Sequence, residues 1–327
     1  MDEQKYRLRD FEKRDYPSAA RLQNRVDPSD PTTPEELQHW WELLDRPPYV
    51  HREFAVEERE SGSLVAHGGI AQVPFNYDPE RFWLSVQVDP EHRGRGIGQC
   101  LYDRSEREAI ERAAVGLWSS VRAEEPASVR FLQRQGFVER RRIWVSRLDL
   151  ARVDLSGFSD RSAALAAEGI RLSTLAAEGP DRPDVREKTF RLCESSARDV
   201  PIVGRHTFPS FADFVRLEFE GPEFCPDAVF VAIRGDEYVG LSSNSITPAE
   251  PDTLRIGFTG VLKEYRGRGI ATELKRRAIE YARHRGLRTI RTGNDSLNAP
   301  IWAINQRLGF VRAKTWINAE KALAPSV

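Results

Sequence analysis

The stretch "YRGRGIATELKRR", residues 265–277, places two Arg-Gly pairs directly in front of an amphipathic run. Apolar residues then recur at helical spacing, at Ile270, Leu274, Ala278 and Tyr281, so the glycines are predicted to lie at a strand-to-helix turn. The first backbone amides of a helix have no partner within the helix, and the helix dipole is positive at that end. Glycine allows close approach and arginine adds charge-assisted hydrogen bonds, so this turn predicts a site for a phosphate or pyrophosphate.

The same arrangement occurs twice in the chain. "HRGRGIGQCLYDR" occupies residues 92–104, and its Arg93 precedes Arg266 by 173 residues. A second landmark, a Gly-Phe pair in "QRQGFVERR" and "NQRLGFVRA", repeats at Gly136 and Gly309 with the same offset of 173. Two landmarks with one offset indicate a duplication of a whole domain rather than a short solenoid repeat.

Each half has the alternation of short strands and helices typical of a mixed α/β domain. We predict six or seven strands in one mixed sheet per half, flanked by helices. The N-terminal domain is predicted at residues 1–152 and the C-terminal domain at 170–327. A Ser/Ala-rich linker at 153–169 is predicted to carry a short helix that begins near Ser159 or Asp160.

The composition excludes several classes of function. The 327 residues contain 49 Lys plus Arg and 50 Asp plus Glu, so general charge gives no reason to bind nucleic acid or an acidic membrane. Three widely spaced cysteines favour a reduced, cytoplasmic protein over a disulfide scaffold. Neither a signal peptide nor a membrane span is expected. The six histidines show no metal-ligand spacing, so no metal is expected.

Other interpretations of the loop fit less well. A dinucleotide-binding GxGxxG would need glycine where the chain has Gln99 and Thr272. A nucleotide P-loop would need a lysine that neither copy has. A disordered RG segment would not open an amphipathic helix in a neutral protein. A plain glycine turn with solvated arginines remains the simplest alternative for one copy, but the duplication makes it less attractive.

What remains is the pattern Arg/Gln-x-x-Gly-x-Gly/Ala, and with it both halves resemble the GNAT superfamily of N-acetyltransferases. The resemblance runs from the first strand of each half to its Gly-Phe pair, and it is strongest in the second half. It implies a tandem GNAT protein that binds acetyl-CoA, with the preceding strand along the pantetheine arm and the loop at the pyrophosphate. The implied cofactor-binding residues are Val88, Arg93, Gly94, Arg95, Gly96, Ile97 and Gly98 in the first half, and Val261, Arg266, Gly267, Arg268, Gly269, Ile270, Ala271 and Asn298 in the second.

The chain departs from the family at the acid that protonates the leaving group. Many GNAT enzymes have a tyrosine four residues before the glycine of the Gly-Phe pair, where this chain has Leu132 and Asn305. Leucine cannot donate a hydrogen bond, whereas asparagine can donate one but is not an acid. Asn294 likewise aligns with Val121 of the first half. We therefore expect the second half to catalyse and the first to be degenerate, binding acetyl-CoA weakly or only structurally.

The general base is less defined by the sequence. The acceptor side should be formed by residues 194–224, and His206 has the side chain with the intrinsic pKa nearest neutrality. Carboxylates nearby, or water acting through a polar chain, are alternatives. The carboxylates considered are Asp199, Glu218, Glu220 and Asp295.

The expected activity is transfer of an acetyl group from acetyl-CoA to a primary amine of a small molecule or peptide, by direct attack on the thioester. The expected catalytic residues are Asn305, Asn294 and His206. The alternative is a catalytically silent protein that binds acyl-CoA as a sensor. The protein is expected to be a monomer or a homodimer.

Overall fold

The computed structural model describes residues 1–158, 160–200 and 207–323. Within these residues, each sequence half contributes six strands. The strands of the first half are β1 (Tyr6–Asp10), β2 (His51–Glu58), β3 (Leu64–Ala71), β4 (Arg81–Val88), β5 (Gly116–Arg122) and β6 (Val138–Asp149). Its helices are α1 (Tyr16–Val26), α2 (Pro34–Leu44), α3 (Ile97–Glu111) and α4 (Pro126–Arg134).

The second half repeats this order after a short linker helix, α5 (Ser162–Ala167). Its strands are β7 (Ile170–Thr174), β8 (Phe230–Arg234), β9 (Glu237–Ser245), β10 (Thr253–Val261), β11 (Thr289–Asp295) and β12 (Val311–Ala322). Its helices are α6 (Leu175–Glu178), α7 (Pro183–Ala197), α8 (Phe211–Phe219), α9 (Ile270–His284) and α10 (Ala299–Arg307). The mixed α/β fold class predicted from the sequence is confirmed.

The two compact units of the chain differ from the predicted division into 1–152, 153–169 and 170–327. The first unit combines residues 1–140 with Thr207 and, at the end of the chain, 317–323, whereas the second takes 141–200 and 208–316. Most of β6 therefore belongs to the second unit, where it pairs with β11 in antiparallel register. The end of β12 supplies Ala319, and the residue after this strand supplies Leu323, to the core of the first unit. Hydropathy along the chain does not reveal such an exchange, because a strand looks the same whichever sheet it joins.

Each unit has a largely antiparallel sheet with one parallel pair. In the first unit the order is β1-β2-β3-β4-β5, and β4 and β5 are parallel. In the second unit the order is β6-β11-β10-β9-β8-β7, and β10 and β11 are parallel. A crossover helix must connect parallel strands, and α3 and α9 fill that role. The apolar stripe of α9 is buried against the sheet, with Leu274, Ala278 and Ile279 fully inaccessible.

The parallel pairs separate before their strands end. In the second unit, pairing stops at Ile256 and Thr292, although β10 continues to Val261 and β11 to Asp295. In the first unit, pairing likewise stops at Trp83 and its partner on β5. The halves differ in one respect: the register between β9 and β10 shifts between Ile256 and Phe258, whereas β3 and β4 pair without a shift. A bulge changes the direction of neighbouring backbone groups, so only the second unit has that adjustment beside its opened strands.

Candidate active site

The second Arg-Gly loop joins β10 to α9 in the conformation that its glycines predict. Gly267 and Gly269 have positive φ angles of 78° and 83°, values that side chains rarely adopt. Gly269 is the N-cap residue of α9, and no side chain caps the helix there. The first amides of a 15-residue helix therefore remain available to an anion.

The two arginines of this loop already have partners. Arg266 donates from Nε to the carbonyl oxygen of Val261 at 3.0 Å and from Nη2 to the carboxylate of Asp199 at 2.6 Å. Arg268 pairs with Glu168 at 2.8 Å and lies over the ring of Tyr265. These contacts tie the loop to the end of β10 and partly offset its charge, so the arginines help to set the shape of the loop.

A cleft of about 500 Å³ lies beside this loop, between the end of β10 and the helices α7 and α10. Of the eight residues predicted to bind the cofactor in the second half, seven line it: Val261, Arg266, Gly267, Gly269, Ile270, Ala271 and Asn298. Arg268 is not among the described residues that line it. Helix α10 adds an apolar wall that includes Ile301 and Ile304, as a site for an extended, partly apolar pantetheine arm requires.

Thr259 also lines the cleft and was not singled out in the sequence. It lies two residues before Val261 on β10, and residues at that spacing face the same side of a strand. The alternation of the strand would have identified it.

The predicted asparagines occupy different positions around this cleft. Asn298 lines it at the start of α10. Asn294 and Asn305 are buried, and neither is among the described residues that line the cleft. Asn294 accepts a hydrogen bond from Ser146 at 2.7 Å, but its amide nitrogen has no partner among the described residues.

Asn305 is the least satisfied of these side chains. It is fully buried, and within the described part of the chain neither its amide oxygen nor its nitrogen has a hydrogen-bond partner. An unpaired buried polar group costs about 1–3 kcal/mol. Asn305 lies on α10, the helix whose Ile301 and Ile304 line the cleft.

The first unit has apolar side chains at the matching positions. The offset of 173 pairs Thr259, Asn294 and Asn305 with Val86, Val121 and Leu132. In the first unit these three residues belong to one apolar cluster between β4, β5 and α4. The region that is polar in the second unit is therefore hydrophobic packing in the first.

The loop of the first unit nevertheless keeps its backbone geometry. Gly94 and Gly96 have φ angles of 75° and 76°, and Arg93 donates to the carbonyl oxygen of Val88 at 3.2 Å. Arg95 donates to the hydroxyl oxygen of Tyr6 at 2.7 Å. The cavity beside this loop, about 440 Å³, is lined by Gly96 and by residues of α3 and the start of the chain.

The remaining predicted residues of this loop follow Gly96 directly. Ile97 is buried as the first residue of α3, and Gly98 lies close to Val88. Neither is among the described residues that line the first-unit cavity.

The acidic candidates for a general base differ in environment. Asp199 is half-exposed and paired with Arg266, and Asp295 is paired with Arg141 at 2.7 Å. Glu220 is exposed. Glu218, on α8, hydrogen-bonds to the hydroxyl of Ser243 at 3.3 Å, and burial raises the pKa of its carboxyl group.

Ser243 places Glu218 relative to the cleft. It pairs across β9 and β10 with Phe258, which lines the cleft.

His206 lies outside the described residues, so the structure gives no position for this predicted catalytic residue.

No group of three or more His, Cys, Asp or Glu side chains in the described ranges is arranged to hold a metal ion. Among the same residues, no helix is both long and apolar enough to cross a membrane.

Two α/β units, each with separated parallel strands and a glycine loop at a helix start, define a tandem acyl-CoA-dependent acyltransferase. The chain belongs to the acetyltransferase (GNAT) family, whose model matches residues 6–137 and 197–310. The resemblance deduced from the two loops is confirmed, as is the expectation of an acyltransferase enzyme.

The relatives are acetyltransferases. A mycothiol acetyltransferase of Amycolatopsis mediterranei is 28% identical over 234 residues, which cover 70% of this chain and 71% of that protein. N-alpha-acetyltransferase 30 of Schizosaccharomyces pombe is 33% identical over 91 residues, or 27% of this chain and 61% of that protein. This second alignment spans less than two thirds of the relative.

Solved structures share the fold over almost the whole chain. A tandem GNAT protein from the clavulanic acid biosynthesis pathway has a TM-score of 0.76 and 22% identity, covering 98% of this chain and all of that one. A GCN5-related N-acetyltransferase from Sphaerobacter thermophilus has a TM-score of 0.69, also at 22% identity, covering 98% of this chain and 97% of that one. At this identity the likeness shows the fold.

Proposed function

We propose that the second half transfers the acetyl group of acetyl-CoA to a primary amine of a small molecule or peptide, while the first half has lost catalysis. The observation that carries the proposal is the cleft of about 500 Å³ between the end of β10 and the helices α7 and α10, which reaches the glycine loop at Gly269. The corresponding region of the first unit contains apolar packing around Leu132. The cavity beside the first loop is lined instead by α3 and the start of the chain.

The proposed reaction is direct aminolysis of the thioester. The lone pair of the neutral amine attacks the carbonyl carbon and forms the C–N bond, while the carbonyl oxygen gains negative charge. The C–S bond then breaks, the thiolate leaves with the electron pair, and the nitrogen loses a proton. The chain must therefore supply a hydrogen-bond donor for the oxyanion, an acceptor for the proton of the amine and stabilisation for the thiolate. A backbone amide near Val261 is the proposed oxyanion donor.

Asn305 and Asn294 are the proposed polar groups at the reacting end. Both carry amide N–H donors that have no partner among the described residues. An amide N–H can stabilise a thiolate or orient a carbonyl, but it cannot give up its proton. We propose that the departing thiolate takes its proton from water, and that Asn305 stabilises the charge meanwhile.

Glu218 is the proposed acceptor for the proton of the amine. Its carboxyl group is buried, and burial raises its pKa, so it accepts a proton more readily than an exposed carboxylate. Its hydrogen bond to Ser243 brings it beside the strand pair that borders the cleft. Asp199 and Asp295 fit this role less well, because each is already engaged in an ion pair with an arginine.

The proposed acetyl acceptor is a class of primary amines, and the comparisons suggest one specific amine to test. Proteins named mycothiol acetyltransferase match 70–82% of this chain at 23–28% identity. The amine precursor of mycothiol therefore belongs in the substrate panel, together with aminoglycosides, amino acids and peptides with a free N-terminus.

A matched pair of substitutions tests which half catalyses. Ala271→Trp places a large ring in the cleft of the second unit, and Gly98→Trp makes the equivalent change in the first. Neither position has the positive φ angle of the loop glycines, so the backbone is not strained. With Ala271→Trp, we expect titrations to show that the second half no longer binds acetyl-CoA, and we expect turnover to be lost. With Gly98→Trp, turnover should persist. Loss of turnover with Gly98→Trp alone would contradict the assignment.

A catalytically silent acyl-CoA sensor is the second candidate, favoured by asparagine at position 305 in place of the family's tyrosine. Release of CoA thiol across the amine panel separates the two. The three free cysteines require a background trace without amine. Release above hydrolysis supports the enzyme, and tight CoA binding with no release for any amine supports the sensor.

A further inference from the structure

The linker before the second half reaches the phosphate-binding loop through Arg161. A Cβ atom built on Gly269 would lie 2.9 Å from Cδ of Arg161, 3.1 Å from its Nε and 3.2 Å from its Nη1. The guanidinium therefore lies against the N-cap of α9, directly at the loop. The sequence placed Arg161 in a Ser/Ala-rich connector and gave it no role.

Buried contacts determine this position. Glu273, in the first turn of α9 and almost fully buried, accepts hydrogen bonds from the backbone N–H of Arg161 at 3.3 Å and from the hydroxyl of Ser162 at 3.2 Å. Three residues further on, Leu165 is completely buried in the core of the second unit. The start of α5 is thus docked on α9, and Arg161 follows from that docking.

The charge of Arg161 is uncompensated, unlike that of the loop arginines. Arg266 and Arg268 pair with Asp199 and Glu168, but no carboxylate of the described residues lies within ion-pair distance of the guanidinium of Arg161. A cation at the N-terminus of a helix opposes the helix dipole, which favours an anion there. An anion placed between the guanidinium of Arg161 and the first backbone amides of α9 would compensate the charge of the guanidinium and accept hydrogen bonds from the amides.

We propose that Arg161 binds a phosphate group of CoA in the second half, so that the linker is part of the acyl-CoA site. This inference rests on the proposed function of the second half. The phosphate is either in the pyrophosphate or at the 3′ position of the ribose, and both present oxygens that a guanidinium binds by charge-assisted hydrogen bonds. The role is one of binding, and it leaves the reacting groups at the other end of the cleft unchanged.

The experiment measures binding by calorimetry with CoA, dephospho-CoA and S-acetylpantetheine. Arg161→Ala and Arg161→Lys are compared with the wild type and with Arg152→Ala, which removes an exposed arginine upstream in the same unit. Arg161→Ala should raise the Kd for CoA on the order of tenfold, the loss expected for one charge-assisted hydrogen bond. The Kd of Arg161→Lys for CoA should lie between those of the wild type and Arg161→Ala. The Kd of Arg152→Ala should equal that of the wild type.

The three ligands identify the phosphate. An equal loss for CoA and dephospho-CoA assigns the pyrophosphate, whereas a loss for CoA alone assigns the 3′-phosphate. Affinity for S-acetylpantetheine, which has no phosphate, should not change. A Kd for CoA within twofold of the wild type overturns the inference, and tighter binding overturns it by showing that Arg161 competes with the ligand.

Failure of the proposed function gives a different result. Wild-type protein that binds CoA but acetylates no amine removes the enzymatic proposal and leaves the Arg161 comparison fully measurable. Wild-type protein that does not bind CoA overturns both.

Discussion

Replacement of Lys275 by methionine should stabilise the second unit at neutral pH and flatten its pH dependence. Lys275 lies on α9, its side chain is 1% exposed, and its ammonium is 5.9 Å from the ring centroid of Phe310. Burial lowers its pKa from 10.5 to about 7, and no charged partner opposes this effect. A buried lysine is unusual, and the duplicated first unit does not have one here: its matching residue is Tyr102.

The first unit has a lysine in the same neighbourhood, but with partners. Lys321 donates to the hydroxyl of Tyr102 at 2.8 Å and forms an ion pair with Glu106. The residue that matches Glu106 in the second unit is Ile279. Lys275 therefore lacks the carboxylate that compensates the lysine of the first unit, and its charged form is the costly one.

The direction of the pH effect follows from the two pKa values. Above pH 10.5 the lysine is neutral in both the folded and the unfolded chain, so it carries no penalty. As the pH falls from 10.5 to about 7, the unfolded chain takes up a proton that the folded protein does not, and stability is lost. At 1.36 kcal/mol per pKa unit, the full difference corresponds to about 5 kcal/mol, reached near pH 7 and constant below it.

Urea unfolding followed by tryptophan fluorescence from pH 7.5 to 9.5 measures this effect. Across those two pH units the stability gained by Lys275→Met over wild type should shrink by about 2.7 kcal/mol as the pH rises. Groups that titrate in both proteins cancel in this difference. Lys263→Met, which removes an exposed lysine of the same unit, is the control.

A direct titration provides the second measurement. The chain has only seven lysines, so their 13Cε resonances can be followed individually by NMR and Lys275 assigned from its substitution. Parallel stability curves for Lys275→Met and wild type, together with seven lysines that all titrate near pH 10, would refute the reasoning.

Two further predictions concern the chemistry of the second unit. Glu218→Gln should lower kcat and remove the acid limb of its pH profile, because the wild-type carboxylate loses base function as the pH falls through its raised pKa; an unchanged profile would exclude Glu218 as the base. Asn305→Leu, which copies the first unit, should reduce kcat on the order of 100-fold, as for loss of one preorganised donor, while leaving the Kd of CoA nearly constant. Leu132→Asn should instead destabilise the first unit by about 1–3 kcal/mol through an unsatisfied buried amide, measurable by urea unfolding.

The repeated Arg-Gly loop was predictable because its properties are local. Two glycines with positive φ before an amphipathic helix create free amides at a helix start, and the chemistry of that end is independent of the rest of the chain. The constant offset between loop and Gly-Phe pair exposed the duplication without a structure. It also aligned Leu132 with Asn305, from which the asymmetry of the two halves follows.

Tertiary contacts decided what the sequence could not. Nothing local in residues 141–149 or 317–323 indicates that each joins the unit of the other half, since a strand carries no label for its sheet. Arg161 reaches the loop at Gly269 only because Glu273 and Leu165 dock the linker on α9.

The burial of Lys275 is another feature that depends on the tertiary structure. A lysine on an amphipathic helix is normally solvated, yet packing buries this one without a charged partner. The sequence alone thus determined the family, the duplication and the phosphate loop, because backbone geometry and spacing fix them. Only the tertiary structure decided which charges are paired, which are buried and which lie at the phosphate loop, because these properties depend on residues distant in the chain.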